Sequence, residues 1–129
     1  MESYLFDTSF LISLLDIDDV NHSKALKIIS GLEIWKIRFF INDVILNETL
    51  TVLNYKKWFE FLEKFESFLE EIKVIYLSWN NEEYTSFFKL ILWKVSVADA
   101  SVIYDWFKHN LVILSFDKEM LKLEEIYSN

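Results

Sequence analysis

Short apolar runs alternate with longer helical stretches along the whole chain, and this alternation restricts the fold more than any other feature. Tyr4-Leu5-Phe6 ends at Asp7 and reads as a buried first strand. A short helix through Phe10 to Leu15 leads into the acidic turn Asp16 to Asp19, and a second helix spans about Asn21 to Gly31. Ile34 to Ile41, rich in β-branched and aromatic residues, reads as strand two, and Asp43 to Asn54 as helix. Lys57 to Ile72 is an amphipathic helix with Trp58, Leu62, Phe65, Leu69 and Ile72 on one stripe. Val74 to Leu77 makes a third strand. Asn80 with Glu83 marks a helix start, and Tyr84, Phe88, Ile91 and Val95 line that helix. A helix over Val97 to His109, a fourth strand at Leu111 to Leu114 and a last helix from Asp117 towards Ile126 complete the pattern. Strands separated by helices predict a parallel sheet covered on both faces. Ligands of such sheets gather beyond the carboxyl ends of the strands.

The 129 residues suit one domain over 1–129, and at 53 % hydrophobic they can bury a sizeable core. One glycine, Gly31, and no proline leave no room for a Gly-rich phosphate loop. No apolar run approaches a membrane span, and Met1-Glu2-Ser3 lacks the features of a secretory leader. The absence of cysteine excludes disulfides and thiolate metal sites and suits a reducing cytoplasm. A net charge of −8 weighs against nucleic acid as a partner unless several of the acids share a cation.

Four acids occupy telling positions. Asp7 directly follows strand one, and Asp117 lies three residues past strand four. Either alone reads as an ordinary helix cap. Glu48 stands in the row Val44–Glu48–Val52 of a helix that is apolar on two sides. A carboxylate there needs a metal, a hydrogen bond or a basic partner, and the two readings, metal ligand and salt bridge, stay level. Asp99 sits in the first turn of its helix, where Ser96-Val97-Ala98-Asp99 fits a variant capping box. The functional case rests on the set, because two strand ends and two helices would each aim one acid at a common pocket. With only His22 and His109 as nitrogen ligands and no cysteine, the chain suits a hard, oxygen-liganded cation better than a classical zinc site.

In order along the chain, Asp7-Thr8-Ser9, Ile45-Leu46-Asn47-Glu48-Thr49-Leu50, Val95-Ser96-Val97-Ala98-Asp99-Ala100 and Leu111-Val112-Ile113-Leu114-Ser115-Phe116-Asp117 resemble the four acid-bearing segments of PIN domains. The resemblance implies a three-layer α/β/α fold with a parallel central sheet of four to five strands. It implies a VapC-like toxin ribonuclease with an antitoxin partner, commonly a homodimer, whose acids hold Mg²⁺ or Mn²⁺ for RNA cleavage. By matched position the metal ligands are Asp7, Glu48, Asp99 and Asp117, with Ser9 and Ser115 at hydroxyl positions that orient them. The chain departs from the family in ending at Glu124-Glu125-Ile126-Tyr127-Ser128-Asn129, where a fifth strand is usual.

The chemistry implied is metal-assisted hydrolysis of a phosphodiester. Lys118, Lys108, Arg38 and the pair Lys56-Lys57 are candidate phosphate contacts, although each reads first as a solvated surface charge. The rival from another class is a catalytically silent PIN-like module that binds a protein partner, with Trp58, Trp93 and Trp106 available for an interface. A receiver domain or a haloacid-dehalogenase-type phosphatase would want a second acid close to Asp7, and Thr8-Ser9 supply none.

Overall fold

A computed structural model describes residues 2–56, 58–78, 82–83, 85 and 96–127. The chain runs β1 (Ser3–Phe6), α1 (Thr8–Leu15), α2 (His22–Ser30), a 3-10 turn (Ile34–Lys36), β2 (Arg38–Asn42), α3 (Asp43–Lys56), α4 (Trp58–Glu71), β3 (Ile75–Leu77), α5 (Val97–His109), β4 (Val112–Leu114) and α6 (Lys118–Tyr127). Of the expected helix after β3, Glu83 is described; Asn80, Tyr84, Phe88, Ile91 and Val95 lie outside the described residues, as do Lys57 and Trp93. Among the described residues the sheet has four strands and no helix long and apolar enough to cross a membrane.

The sheet order is β3-β2-β1-β4, with every pairing parallel. Tyr4 pairs with Phe39 on one side and Val112 on the other, and Leu5 pairs with Phe40 and Ile113. Consecutive residues Leu5 and Phe6 are both fully buried. Because neighbours on a strand point to opposite faces, both faces must be covered, which makes this an α/β sheet with helices on either side. From β1 the chain steps to β2 and β3 on one flank and returns to β4 on the other. The crevice beyond the carboxyl ends of β1 and β4 is thus where the strand order reverses, the usual ligand position in such sheets.

A phenylalanine seam fills the centre. Phe6 stacks on Phe39 at 5.4 Å between ring centroids and meets Phe10 at 6.0 Å and Phe68 at 5.8 Å. Phe10 stacks on Phe116 at 5.4 Å, which pins the start of α1 to the loop after β4. Each such ring contributes about 1.5–3 kcal/mol through burial alone. Seven of the eight residues of α1 are buried, so this helix lies under the others.

Two expectations shift by local geometry. Strand two begins at Arg38 rather than Ile34, since Lys36 N–H bonds Glu33 O at 2.8 Å and Ile37 N–H bonds Ile34 O at 3.2 Å, closing a 3-10 turn that leaves Trp35 exposed. The buried stripe of α4 is Phe61, Phe65, Leu69 and Ile72, while Leu62 is only partly covered. Helix α5 begins at its Ser96 cap, whose Oγ accepts from Asp99 N–H, and ends at Asn110 in the left-handed conformation with φ 53°.

Candidate active site

The strand ladder carries Asp7 to its place: Asp7 N–H donates to Leu114 O at 3.0 Å, extending the β1–β4 pairing by one residue. The backbone then turns into α1, but the Asp7 side chain does not cap that helix. Its Oδ2 instead accepts from Ser115 Oγ at 2.6 Å and Ser9 Oγ at 3.1 Å, with the two hydroxyls 3.1 Å apart. These hydroxyls are themselves held. Ser9 Oγ accepts from Phe116 N–H and Ser115 Oγ from Asp117 N–H, both at 3.0 Å. One compact network therefore joins the end of β1, the first turn of α1 and the loop between β4 and α6. Asp7 is 3 % exposed. Burial pushes its carboxyl pKa up, the two serine hydroxyls pull it back down, and the Asp117 charge adds to the rise.

Asp117 serves as the cap of α6, its Oδ1 accepting from Glu119 N–H at 2.9 Å. The ordinary role expected of a strand-end aspartate is thus real, and it occupies only one oxygen. Asp99 likewise sits in the capped first turn of α5. Its carboxyl is pushed up to about 6, first by burial and then by the charges of Asp117, Asp7 and Glu48 in that order. Glu48 lies on α3, half-buried. Among the described residues it forms no ion pair, so none of them is the basic partner that a structural role would supply. Three carboxyl groups from three other segments therefore stand within electrostatic reach of Asp99.

Electrostatic reach is not coordination reach. Among the described residues no three Asp, Glu or His side chains are gathered closely enough to form a ready-made metal cage. The donor set nonetheless fits a hard divalent cation chemically. It is all oxygen, and the charges of Asp117, Asp7 and Glu48 add to burial in lifting Asp99. His22 is engaged elsewhere, with Nδ1 2.8 Å from Ser13 O, and His109 lies at the end of α5.

The candidate phosphate contacts mostly fall away. Lys56 pairs with Asp16 at 2.9 Å, at the ends of α3 and α1 remote from the strand termini. Lys108 pairs with Glu83 at 2.8 Å, beside a short Tyr104–Glu83 hydrogen bond. Arg38 opens β2 and so stands at the opposite edge of the sheet. Lys118, exposed and next to Asp117, is the remaining one near the site among the described residues.

Comparison with known proteins places this arrangement. The family profile described as the PIN domain matches residues 4–126. The chain belongs to the PIN domain family. No curated protein matches it in sequence. Among solved structures it is similar to VapC20 of Mycobacterium tuberculosis, described as a toxin that cleaves the sarcin–ricin loop, with TM-score 0.79 and 16 % identity over 93 % of this chain and 94 % of that one. It is also similar to VapBC2 of Rickettsia felis, described as bound to a DNA fragment from its promoter, with TM-score 0.70 and 13 % identity over 97 % and 93 % of the two chains. A protein of Pyrobaculum aerophilum gives TM-score 0.62 and 20 % identity over 94 % of this chain and 84 % of that one. At these identities the likeness is one of fold, and the four acids of this PIN domain lie at its sheet-end crevice.

Proposed function

We propose that this PIN domain is a metal-dependent endoribonuclease hydrolysing RNA phosphodiester bonds, the toxin of a toxin–antitoxin pair. The observation that carries the reading is the crowding of Asp99 by the charges of Asp117, Asp7 and Glu48, with Glu48 in no ion pair among the described residues. A protein gathers unneutralised carboxylates at a sheet end at a cost in stability, and a cation that they hold together offsets it.

In this account the four acids hold Mg²⁺ or Mn²⁺, which would supply charge neutralisation at the scissile phosphate and an activated water. The chain's own residues do the positioning. Ser9 and Ser115 fix Oδ2 of Asp7 and so orient the carboxylate that would meet the ion. Asp117 caps α6 with Oδ1 and offers Oδ2. Lys118 is placed to meet a neighbouring phosphate. The fold likeness to VapC20 and VapBC2 supports an antitoxin partner, and a homodimer in the cytoplasm completes the reading.

A catalytically silent module is the second reading, favoured by the lack of a ready-made cage among the described residues. The test incubates purified protein with mixed RNA substrates and Mg²⁺ or Mn²⁺ beside Asp7→Asn and Asp99→Asn. Cleavage by the parent that both variants lose supports the nuclease. A parent that cleaves nothing and binds no Mn²⁺ supports the silent module.

A further inference from the structure

Behind the acids lies a second buried polar group, centred on a residue that does more than cap a helix. Asn42, the last residue of β2, is fully buried, with Ser101 at 1 % and Asp105 at 2 % exposure beside it. Its amide uses both ends. Oδ1 accepts from Ile45 N–H at 2.8 Å, so Asn42 caps α3. Nδ2 donates to Asp105 Oδ2 at 2.9 Å and to Ser101 Oγ at 3.2 Å, both on α5. Ser101 Oγ in turn donates to Ala98 O at 2.7 Å. A continuous chain of hydrogen bonds therefore runs from the residue preceding Asp99, through Asn42, to the turn of α3 preceding Glu48.

Apolar contact alone would let the two helices slide, because it is non-directional. Directed hydrogen bonds between buried groups do not permit that, since any slip leaves a desolvated partner unsatisfied. Asp105 is the informative member. A carboxylate buried to this degree is costly as a packing residue, and the Asn42 amide is a partner that reaches it across helices. His109, on the same helix, stands with Nε2 3.9 Å from Asp105 Oδ1.

We infer that Asn42 is a positioning residue that, through Ser101 and Asp105, sets the separation of Glu48 from Asp99 and so the aperture of the acidic site. The inference rests on the ribonuclease reading for its consequence, but the distance it concerns is measurable whether or not RNA is cut. Asn42→Asp keeps the cap on Ile45 while setting a second carboxylate against Asp105. Asn42→Asp combined with Asp105→Asn restores a donor–acceptor pair with the roles exchanged.

The chain has no cysteine, so spin labels placed at the exposed positions Asn54 on α3 and Phe107 on α5 report the helix separation without background. The expected result is a shifted or broadened label distance in Asn42→Asp that returns to the parent distribution in the double variant. Mn²⁺ affinity and kcat with Mn²⁺ should fall at least tenfold in the single variant at a temperature where it is fully folded. Both should recover to within threefold in the double variant, with KM for RNA little changed throughout. An unchanged label distance in Asn42→Asp overturns the inference, and so does a double variant that stays as impaired as the single. A parent that cleaves no RNA sinks the nuclease reading instead, and the label distances still decide this one.

Discussion

Replacing Asp99 with asparagine should stabilise the metal-free protein while destroying its ability to bind a metal. The Asp99 carboxyl, ordinarily near 3.8, stands at about 6 because burial and three acidic neighbours disfavour its charge. A rise of about two units corresponds to ~3 kcal/mol at ~1.4 kcal/mol per unit, and solvent screening of a half-buried group reduces this to ~1–2 kcal/mol. Loss of a negative charge from the first turn of α5 costs about 0.3–1 kcal/mol in the other direction. The net gain of about 1 kcal/mol should raise Tm by roughly 3–6 °C for a domain of this size. The sign depends on pH. A carboxyl whose folded pKa is raised weakens the fold once it ionises, so the parent loses stability between about pH 4 and pH 6 and the variant does not. Melting curves in EDTA at pH 4 should therefore nearly coincide, and at pH 7.5 the variant should melt higher. Added Mn²⁺ should raise the parent's Tm and leave the variant's unmoved. A variant that melts lower than the parent at pH 7.5 in EDTA would show that Asp99 is a structural cap whose charge the fold needs, and the reasoning would fail.

Three other outcomes follow from the same structure. Apparent Mn²⁺ affinity should weaken as pH drops through about 6, where Asp99 takes up a proton, and a pH series of calorimetric titrations reads this directly; an affinity flat from pH 7.5 to 5 refutes it. Ser115→Ala removes the 2.6 Å donor to buried Asp7 and should destabilise the fold by about 1–2 kcal/mol in denaturant titrations, with Mn²⁺ affinity reduced but not abolished. Phe39→Ala removes a fully buried ring stacked on Phe6 and should cost about 3–5 kcal/mol, seen as a drop in the denaturant midpoint with little change in the Mn²⁺ affinity of the folded fraction.

Much of the fold was legible because buried parallel strands are short, apolar and bounded by polar residues. Tyr4–Phe6 and Leu111–Leu114 announce themselves in this way, and Asp7 and Asp117 lie close beyond them. Strand two was harder. Ile34-Trp35-Lys36 has strand-like composition, yet two backbone hydrogen bonds turn it into 3-10 geometry. Composition reports preference, and local hydrogen bonding decided the outcome. In α4 Phe65, Leu69 and Ile72 are buried as expected, but Phe61 takes the place given to Leu62, because aromatic and leucine residues occupy both neighbouring rows and only packing tells them apart. Arg38 looked like a phosphate contact because the expected strand began at Ile34, whereas the strand starts at Arg38 itself and so puts it at the end away from the site. Asn42 escaped notice entirely. An asparagine before a helix reads as a cap, and its reach to Asp105, 63 positions later, is a property of the fold.

The most direct test of the central claim is a Mn²⁺ titration of the parent and of Asp7→Asn, Glu48→Gln, Asp99→Asn and Asp117→Asn, followed by calorimetry or by the electron paramagnetic resonance of free Mn²⁺. The account predicts saturable binding by the parent and a loss of at least tenfold in affinity in each variant, while all five proteins remain folded. Binding by the parent that survives all four substitutions unchanged would contradict it, as would a parent that takes up no Mn²⁺.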